Sequence, residues 1–440
     1  MNSKNIINFI VLLIIDITTL IGIFYLSVFI RNRLHSDNIP PFNQIELVNF
    51  VFAICIIIFL FLNEKIYSFR YDFWQELKKV VKSIFLSYLL VLTLLALMKS
   101  NLEYSRLFMT IYFILALIIV PLVKRYAKLL LYSFDFLKKK VLLIGDEVEK
   151  EKFKQEFNNN FYLGQIYAEK EYDFVIIISK GIPLSQLDKL VHNYIDNSDG
   201  LYLVPYMINI NFAYSTILEY ENIQHNSIYI ENRLLIKHNL FLKNLFDKLF
   251  AIVSLPIFFI IHIIISSLIK LDSKGTILFK QPRLGKDNKD FLCYKYRTMY
   301  ENSNEILQNY LAKNPDEMKY YSKYHKYKND PRVTKIGKIL RSTSLDELPQ
   351  LINVLKGEMS LVGPRPYMLN EANKLGEDKE LILKVKPGIT GLWQVSGRNN
   401  LSFQERNQLE VWYIKNWLFW DDFIILIRTI KVVLLKIGAK

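Results

Sequence analysis

The chain is poor in cysteine, and this shortage limits the chemistry that it can support. Only Cys55 and Cys293 occur among its 440 residues, and Cys55 lies inside an apolar run. A disulfide framework needs several regularly spaced cysteines, and a cysteine-ligated metal site needs them clustered. Neither kind of site is therefore expected.

Glycine-rich turns and Asp-x-Asp triplets are missing as well. Gly145 stands alone after the apolar run 141–144, and acidic residues follow it closely. Dinucleotide sites use several glycines so that the backbone can approach the phosphates, which argues against a membrane-bound NAD enzyme such as a nucleotide-sugar dehydratase. The missing Asp-x-Asp triplet disfavours the glycosyltransferases that hold a metal with that motif.

Positive charge and long apolar runs, by contrast, are abundant. The chain holds 56 Lys and Arg against 42 Asp and Glu, a net charge of +14, and 51% of its residues are hydrophobic. Such a charge favours anionic membrane surfaces, nucleic acid or anionic substrates. Because the apolar residues are clustered, we expect membrane lipids as partners and no nucleic acid.

Four apolar segments have the length of membrane spans. They cover residues 6–30, 45–62, 80–98 and 106–123, close to the ~20 residues that a bilayer core requires. Basic residues concentrate after the second and fourth segments, so both ends of this predicted four-helix transmembrane domain, 1–125, are expected in the cytoplasm. Asp16 is interpreted as bonded to a neighbouring helix rather than as a lipid or ion contact.

A small α/β domain is predicted over residues 139–232. Apolar strands are expected at 141–147, 173–180 and 200–205, with helix-like polar segments between them. This alternation favours a degenerate Rossmann-like domain. Because its single glycine is weak evidence for a nucleotide site, a structural or regulatory role is the better hypothesis.

A fifth apolar segment, 249–269, has basic residues on both flanks, so both ends should stay on the cytoplasmic face. Pro256 removes a helical hydrogen bond and favours a kink, and Ser254 is placed to bond a freed backbone group. These features predict a re-entrant helix–break–helix hairpin over 245–269. An ordinary kinked span is the alternative.

The polar third domain, 240–440, contains two adjacent acids that favour phosphate chemistry. Asp346 and Glu347 precede Pro349 and a helical apolar pattern, so both acids are expected at a helix N-terminus. One carboxylate would attack phosphorus while the other holds a divalent metal, for which Mg²⁺ suits the oxygen ligands. The alternative is that the two acids only cap the helix.

Basic residues around this pair fit a diphosphate substrate and a lipid phosphate, because Arg makes bidentate phosphate contacts. Arg365 lies between two prolines, and Arg398 follows a glycine. A solvated basic face near anionic lipid is the alternative. The predicted substrate-binding residues are Arg283, Lys295, Arg297, Arg341, Arg365 and Arg398.

The segments DPRVTKIGKILRSTSLDELPQLINVLKGEMSLVGPRP (330–366) and KPGITGLWQVSGRN (386–399) closely resemble the bacterial sugar transferases called monotopic phosphoglycosyl transferases. The whole layout is similar to the long form, the undecaprenyl-phosphate galactose phosphotransferase group. The resemblance implies a four-helix transmembrane bundle, a degenerate Rossmann-like α/β domain and a catalytic domain whose re-entrant bend is shaped by Ser254 and Pro256.

The same resemblance implies a reaction. Asp346 would be the nucleophile, forming a covalent phosphosugar intermediate and releasing UMP from a UDP-sugar, and Glu347 would bind Mg²⁺. Undecaprenyl phosphate would accept the hexose phosphate, with galactose the expected sugar, and so begin a surface polysaccharide. A homodimer in the bacterial inner membrane with a cytoplasmic catalytic domain is expected. The competing hypothesis is a non-catalytic assembly protein of polysaccharide export, which would not need the acid pair.

Overall fold

The computed structural model forms two compact units, Met1–Met207 and Ile208–Lys440. It describes most of the chain, and each unit is treated below by itself. The described residues are 3–34, 47–97, 106–195, 198, 200–206, 212, 215–220, 225–314, 317, 330–397 and 401–435.

The first unit begins with four apolar helices, as the sequence predicted. They are α1 (Ser3–Arg33), α2 (Leu47–Asn63), α3 (Phe73–Leu97) and α4 (Arg106–Leu131). The first, third and fourth are long and apolar enough to cross a membrane, whereas α2 has 17 residues. Aromatic side chains fill the bundle interior, where the rings of Phe50 and Tyr112 lie 4.7 Å apart in an edge-to-face contact.

Two acids and two lysines form a buried ionic network inside this unit. Lys124 Nζ lies 2.6 Å from Asp16 Oδ2 and 3.8 Å from Glu76 Oε1. Lys128 pairs with Glu76, and Tyr67 Oη donates to Asp16 at 2.6 Å. An unpaired buried charge is costly, so each charge is matched by an opposite one. The interpretation of Asp16 as bonded to a neighbouring helix is confirmed.

A parallel sheet follows the helices, and its strands confirm the three that the sequence predicted. The strand order is β2-β1-β3-β4. The helices α5 (Glu147–Asn159) and α6 (Leu184–Ile195) connect strands of this sheet. The strands are β1 (Lys139–Ile144), β2 (Gln165–Tyr167), β3 (Phe174–Ile178) and β4 (Leu201–Val204).

Gly145 and its acidic neighbours have packing roles at the end of β1. Gly145 has a φ of +135°, and a Cβ atom there would lie 2.6 Å from the carbonyl oxygen of Ile178. Asp146 caps α5 by accepting from the Glu149 amide at 3.2 Å. Lys180 Nζ lies 3.3 Å from Asp146 and 3.1 Å from Glu149. Strand packing therefore explains the single glycine.

The second unit opens with a β-hairpin, β5 (Thr216–Tyr220) and β6 (His225–Tyr229), and then a long helix, α7 (Lys237–Asp272). The predicted break at Pro256 is wrong, because α7 runs uninterrupted with Pro256 inside it. Ser254 Oγ donates to the carbonyl of Phe250, which is not the carbonyl that Pro256 leaves free four residues before it. The re-entrant path itself stays a prediction.

Both halves of α7 contact the rest of this unit. In the first half, Lys243 Nζ lies 2.5 Å from Asp422, and Asp247 accepts from Ser360 Oγ at 2.6 Å. At the other end, Asp272 accepts from the backbone amide of Ile336 at 3.0 Å. The helix is therefore fixed to the domain along its length, although many of its apolar side chains stay exposed.

The remaining elements pack around α7 and two small sheets, and the buried apolar side chains form a large core and a smaller one. The strands β7 and β8 pair antiparallel, and β9 and β10 pair parallel. Val354, Leu361 and Ile414 are among the most buried core side chains. The strands are β7 (Leu278–Leu284), β8 (Asp290–Tyr296), β9 (Ser360–Val362) and β10 (Gly388–Thr390). The helices are α8 (Ser303–Lys313), α9 (Lys335–Thr343), α10 (Gln350–Lys356), α11 (Lys379–Leu383), α12 (Leu392–Ser396), α13 (Phe403–Asn416) and α14 (Phe419–Leu434).

The ionic network predicts an asymmetric response to removal of lysines. Lys124→Ala leaves Asp16 buried without its cation, which should cost about 3 kcal/mol and lower the apparent melting temperature in detergent by several degrees. Lys82→Ala is the matched control, because Lys82 pairs with Glu64 but is 59% exposed and should cost below about 1 kcal/mol. Equal losses for both variants would contradict the network.

Candidate active site

Asp346 and Glu347 lie side by side in a short turn. α9 ends just before Ser344, whose φ of +56° is left-handed, and the 3-10 turn Leu345–Glu347 follows. The α-helix α10 starts directly after Pro349 and has seven residues. The predicted placement is therefore partly wrong: the acids lie in the 3-10 turn before the helix, and nearby cations rather than the short helix provide their charge stabilisation.

Lys295 supplies the closest of these cations. Its Nζ lies 2.7 Å from Glu347 Oε1. Asn353 on α10 fixes the position of β8, because its Oδ1 accepts from the Tyr294 amide at 3.0 Å and its Nδ2 donates to the Leu292 carbonyl at 2.7 Å. The buried Asn353 thereby determines which strand residue meets the acid pair. Sequence reasoning missed it, although an asparagine inside an apolar helical pattern is a signal of this kind.

The two carboxylates have different surroundings. Burial and the neighbouring Glu347 together raise the pKa of Asp346 to about 6, against the lowering effect of Lys295 and Arg341. Burial lowers the pKa of Lys295, but the charges of Glu347 and Asp346 outweigh it and hold that pKa above its ordinary value. Asp346 is therefore mostly ionised at neutral pH. No side chain in the described part of the chain hydrogen-bonds its carboxylate, which leaves it available as a nucleophile.

The acid pair lines a cleft of about 910 Å³ between the β7–β8 hairpin, α9 and the loop before Tyr367. The structure brings four of the predicted substrate-binding side chains to the walls of this one cleft. A diphosphate needs several such cations, and arginine can hold phosphate oxygens in pairs. The four residues are Lys295, Arg297, Arg341 and Arg365.

The three arginines in the cleft wall are held differently. Arg341 Nε donates to Thr298 Oγ1 at 2.9 Å. Burial lowers the pKa of Arg341, against the raising effect of Asp346. Arg365 Nη2 lies 3.5 Å from Glu371 Oε1, a long ion pair. Arg297 is less available to a substrate, because both of its Nη atoms already donate to backbone carbonyls just after α7.

Two predicted site residues lie elsewhere. Arg283 is buried behind the cleft, where it donates to the Pro366 carbonyl at 3.0 Å and to Gln281 Oε1 at 2.7 Å. It therefore supports the loop that carries Arg365 rather than lining the cleft. Arg398 lies outside the described residues.

Glu410 on α13 fixes the Arg365 loop and was missed from the sequence. Its Oε1 accepts from the Arg365 amide at 2.8 Å, and its Oε2 accepts from Tyr367 Oη. Burial raises the pKa of Glu410 to about 7, although Tyr367 and Arg365 lower it. A single acid within the apolar run LEVWYI (409–414) is the signal that identifies such a residue.

A complete metal site made by protein groups is not found in the part of the chain that the structure describes, where no cluster of three or more His, Cys, Asp or Glu is suited to a metal ion. Mg²⁺ commonly binds through one or two carboxylates together with substrate phosphates and water. Asp346 and Glu347, which both line the cleft, offer carboxylates of the kind that this second pattern uses.

Comparison with known proteins identifies the family of the segment that forms the cleft. A family model described as bacterial sugar transferase matches residues 238–436, which include the whole cleft. An undecaprenyl-phosphate galactose phosphotransferase from Salmonella typhimurium is 31% identical, over 91% of this chain and 90% of its own length.

Two further relatives also match across both units. A galactosyl transferase from Streptococcus agalactiae is 33% identical, over 91% of this chain and 96% of its own length. A UDP-galactose-lipid carrier transferase from Erwinia amylovora is 32% identical, over 85% of this chain and 84% of its own length. These matches extend well beyond the segment that forms the cleft. The chain therefore belongs to the bacterial sugar transferase family and is a membrane-bound sugar transferase.

Proposed function

We propose that the protein transfers a hexose 1-phosphate, with galactose the favoured hexose, from a UDP-sugar to undecaprenyl phosphate and releases UMP. One observation carries this proposal: Asp346, available and mostly ionised at neutral pH, shares a cleft with Glu347 and four cations. Capping of a helix would require neither the cleft nor the cations. The relatives' names support a lipid phosphate acceptor and galactose.

The residues divide the first half of the reaction between them. The Asp346 carboxylate attacks the sugar-bearing phosphorus of the UDP-sugar, a P–O bond forms, and the bond to the UMP oxygen breaks. Arg341, Arg365 and Lys295 neutralise the phosphate charge that develops. In the second half, an oxygen of the lipid phosphate attacks the same phosphorus, and the Asp346 carboxylate is regenerated.

Glu347 is the proposed protein ligand for Mg²⁺. A divalent cation bound there would neutralise the donor diphosphate and polarise its leaving oxygen. Lys295 pairs with Glu347 Oε1, so this lysine keeps the carboxylate oriented toward the cleft. Glu347 Oε2 has no hydrogen bond to a described side chain.

The proposed setting is the bacterial inner membrane, with the cleft on the cytoplasmic side and the protein a homodimer. UDP-sugars are cytoplasmic, and the lipid product would begin a surface polysaccharide. A non-catalytic role in polysaccharide export has less support, because the relatives that match nearly the whole chain are named as transferases.

The product nucleotide tests the proposal. With UDP-galactose and undecaprenyl phosphate, the protein should release UMP, because attack at phosphorus leaves the sugar phosphate behind. Asp346→Asn should abolish the release while the protein stays folded, since the amide has nearly the same shape. Chromatography of the nucleotides and a melting curve measure both. UDP as the main product, or activity retained by Asp346→Asn, would refute the mechanism.

Metal dependence tests the role of Glu347. Excess chelator should stop UMP release, and added Mg²⁺ should restore it. Glu347→Gln should lower turnover by about two orders of magnitude and shift the Mg²⁺ requirement to higher concentration, as loss of a metal ligand or its partner does. Glu380→Gln, at an exposed position of α11 outside the cleft lining, is the matched control. Full activity in excess chelator would contradict the assignment of Glu347 as a metal ligand.

We also propose that α7, which stays helical through Pro256, bends at that residue and so enters and leaves the membrane on one face. Its two ends, Lys237 and Lys274 just after it, are basic and exposed. In a Cys55→Ser background, Lys237→Cys and Lys274→Cys should both react with an impermeant thiol reagent from the cytoplasmic side of oriented vesicles. Arg33→Cys at the end of α1 is the control for the opposite side. Labelling of the two α7 positions from opposite sides would show a full crossing.

A further inference from the structure

His262 is the one ionisable side chain in the apolar run 249–269 of α7. An ionisable residue inside an apolar membrane segment is costly and commonly marks a functional site. Ser254 and Ser267 on the same helix donate to carbonyls of the preceding turn, so their polarity is satisfied locally. His262 instead directs its ring toward the catalytic domain.

Tyr296 on β8 holds the His262 ring in place. Its Oη lies 2.9 Å from His262 Nδ1, and the two rings stack with centroids 5.7 Å apart. Tyr296 is almost fully buried, and burial raises its pKa to about 12. Its hydroxyl therefore keeps its proton and can donate to Nδ1. In the tautomer that accepts this bond, the ring proton is on Nε2.

His262 Nε2 and Ser266 Oγ form a small polar site on the flank of α7. They lie 3.4 Å apart, and both side chains are partly exposed. Around them the helix surface is apolar, with Phe259 and Ile263 more than half exposed. A ligand for this site would therefore combine an apolar body with a group that accepts hydrogen bonds.

The position of this site relates it to the acid pair. Tyr296 follows Lys295 directly along β8, lines the same cleft and contacts His262. Since Lys295 pairs with Glu347, the polar site on the membrane helix lies next to the strand that carries the cation of the reaction centre. A lipid whose chain stays in the bilayer would meet α7 before its phosphate reaches the cleft.

We propose that His262 and Ser266 bind the phosphate of the polyprenyl phosphate acceptor and guide it from the membrane surface of α7 into the cleft. Nε2–H donates to a phosphate oxygen, and Tyr296 is a positioning residue that fixes the imidazole tautomer. This inference rests on the proposed sugar-phosphate transfer. It adds an acceptor site that is separate from the donor residues, so the two halves of the reaction should respond differently to its loss.

The test measures both halves with the full-length protein in phosphatidylcholine bilayers. His262→Phe keeps an aromatic ring but removes the donor, so the KM for undecaprenyl phosphate should rise about five- to tenfold, the effect of one lost hydrogen bond. Release of UMP in a single turnover without acceptor, and the KM for UDP-sugar, should stay within twofold. Ser266→Ala and Tyr296→Phe should raise the acceptor KM in the same direction.

Two variants and a competing lipid sharpen this test. His262→Gln retains an N–H donor and should recover part of the acceptor affinity, whereas Ser267→Ala, on the same helix but bonded to its own turn, should match the wild type. Phosphatidylglycerol should not compete with the acceptor; equal competition would make this a general anionic-lipid site and overturn the assignment. An unchanged acceptor KM in His262→Phe and Ser266→Ala, or equal damage to UMP release, would also overturn it. Absence of UMP release by the wild type would instead refute the proposed function.

Discussion

The site depends on keeping two neighbouring carboxylates charged in a partly desolvated turn. Burial and mutual repulsion both raise the pKa of Asp346, so the acid pair requires cations at close range. These cations come from separate elements: Lys295 from β8 and Arg341 from α9. Asn353 positions the strand that carries Lys295, and Thr298 accepts a hydrogen bond from Arg341. Both contacts hold a cation near the acid pair.

Buried charge pairs recur throughout the protein, each time with a partner from a different element. Lys243 with Asp422 fixes α7 to α14 in the second unit, while Lys124 with Asp16 joins α4 to α1 in the first. Such pairs add little net stability, but removing one partner is costly, so they specify how elements meet. In the second unit this gives a rigid base for the cleft.

The sequence predicted the helices and strands better than the contacts between them. Apolar runs located the helices and the sheet strands, because burial leaves a periodic pattern in the chain. Three features were not predicted. They are the 3-10 turn that holds Asp346 and Glu347, the uninterrupted course of α7 and the burial of Arg283. The burial of Arg283 depends on a contact with Pro366, which is far away in sequence. The contact of Glu410 with the Arg365 amide, which spans 45 residues, is of the same kind.

The central claim is that Asp346 becomes covalently phosphorylated by the sugar donor, and peptide mass spectrometry tests it most directly. The protein is mixed with UDP-galactose and Mg²⁺ without acceptor, quenched in acid and digested. The account predicts a hexose phosphate on the peptide that contains Asp346, its loss on addition of undecaprenyl phosphate, and no adduct in Asp346→Asn. An adduct on another residue, or transfer with no adduct at all, would contradict it.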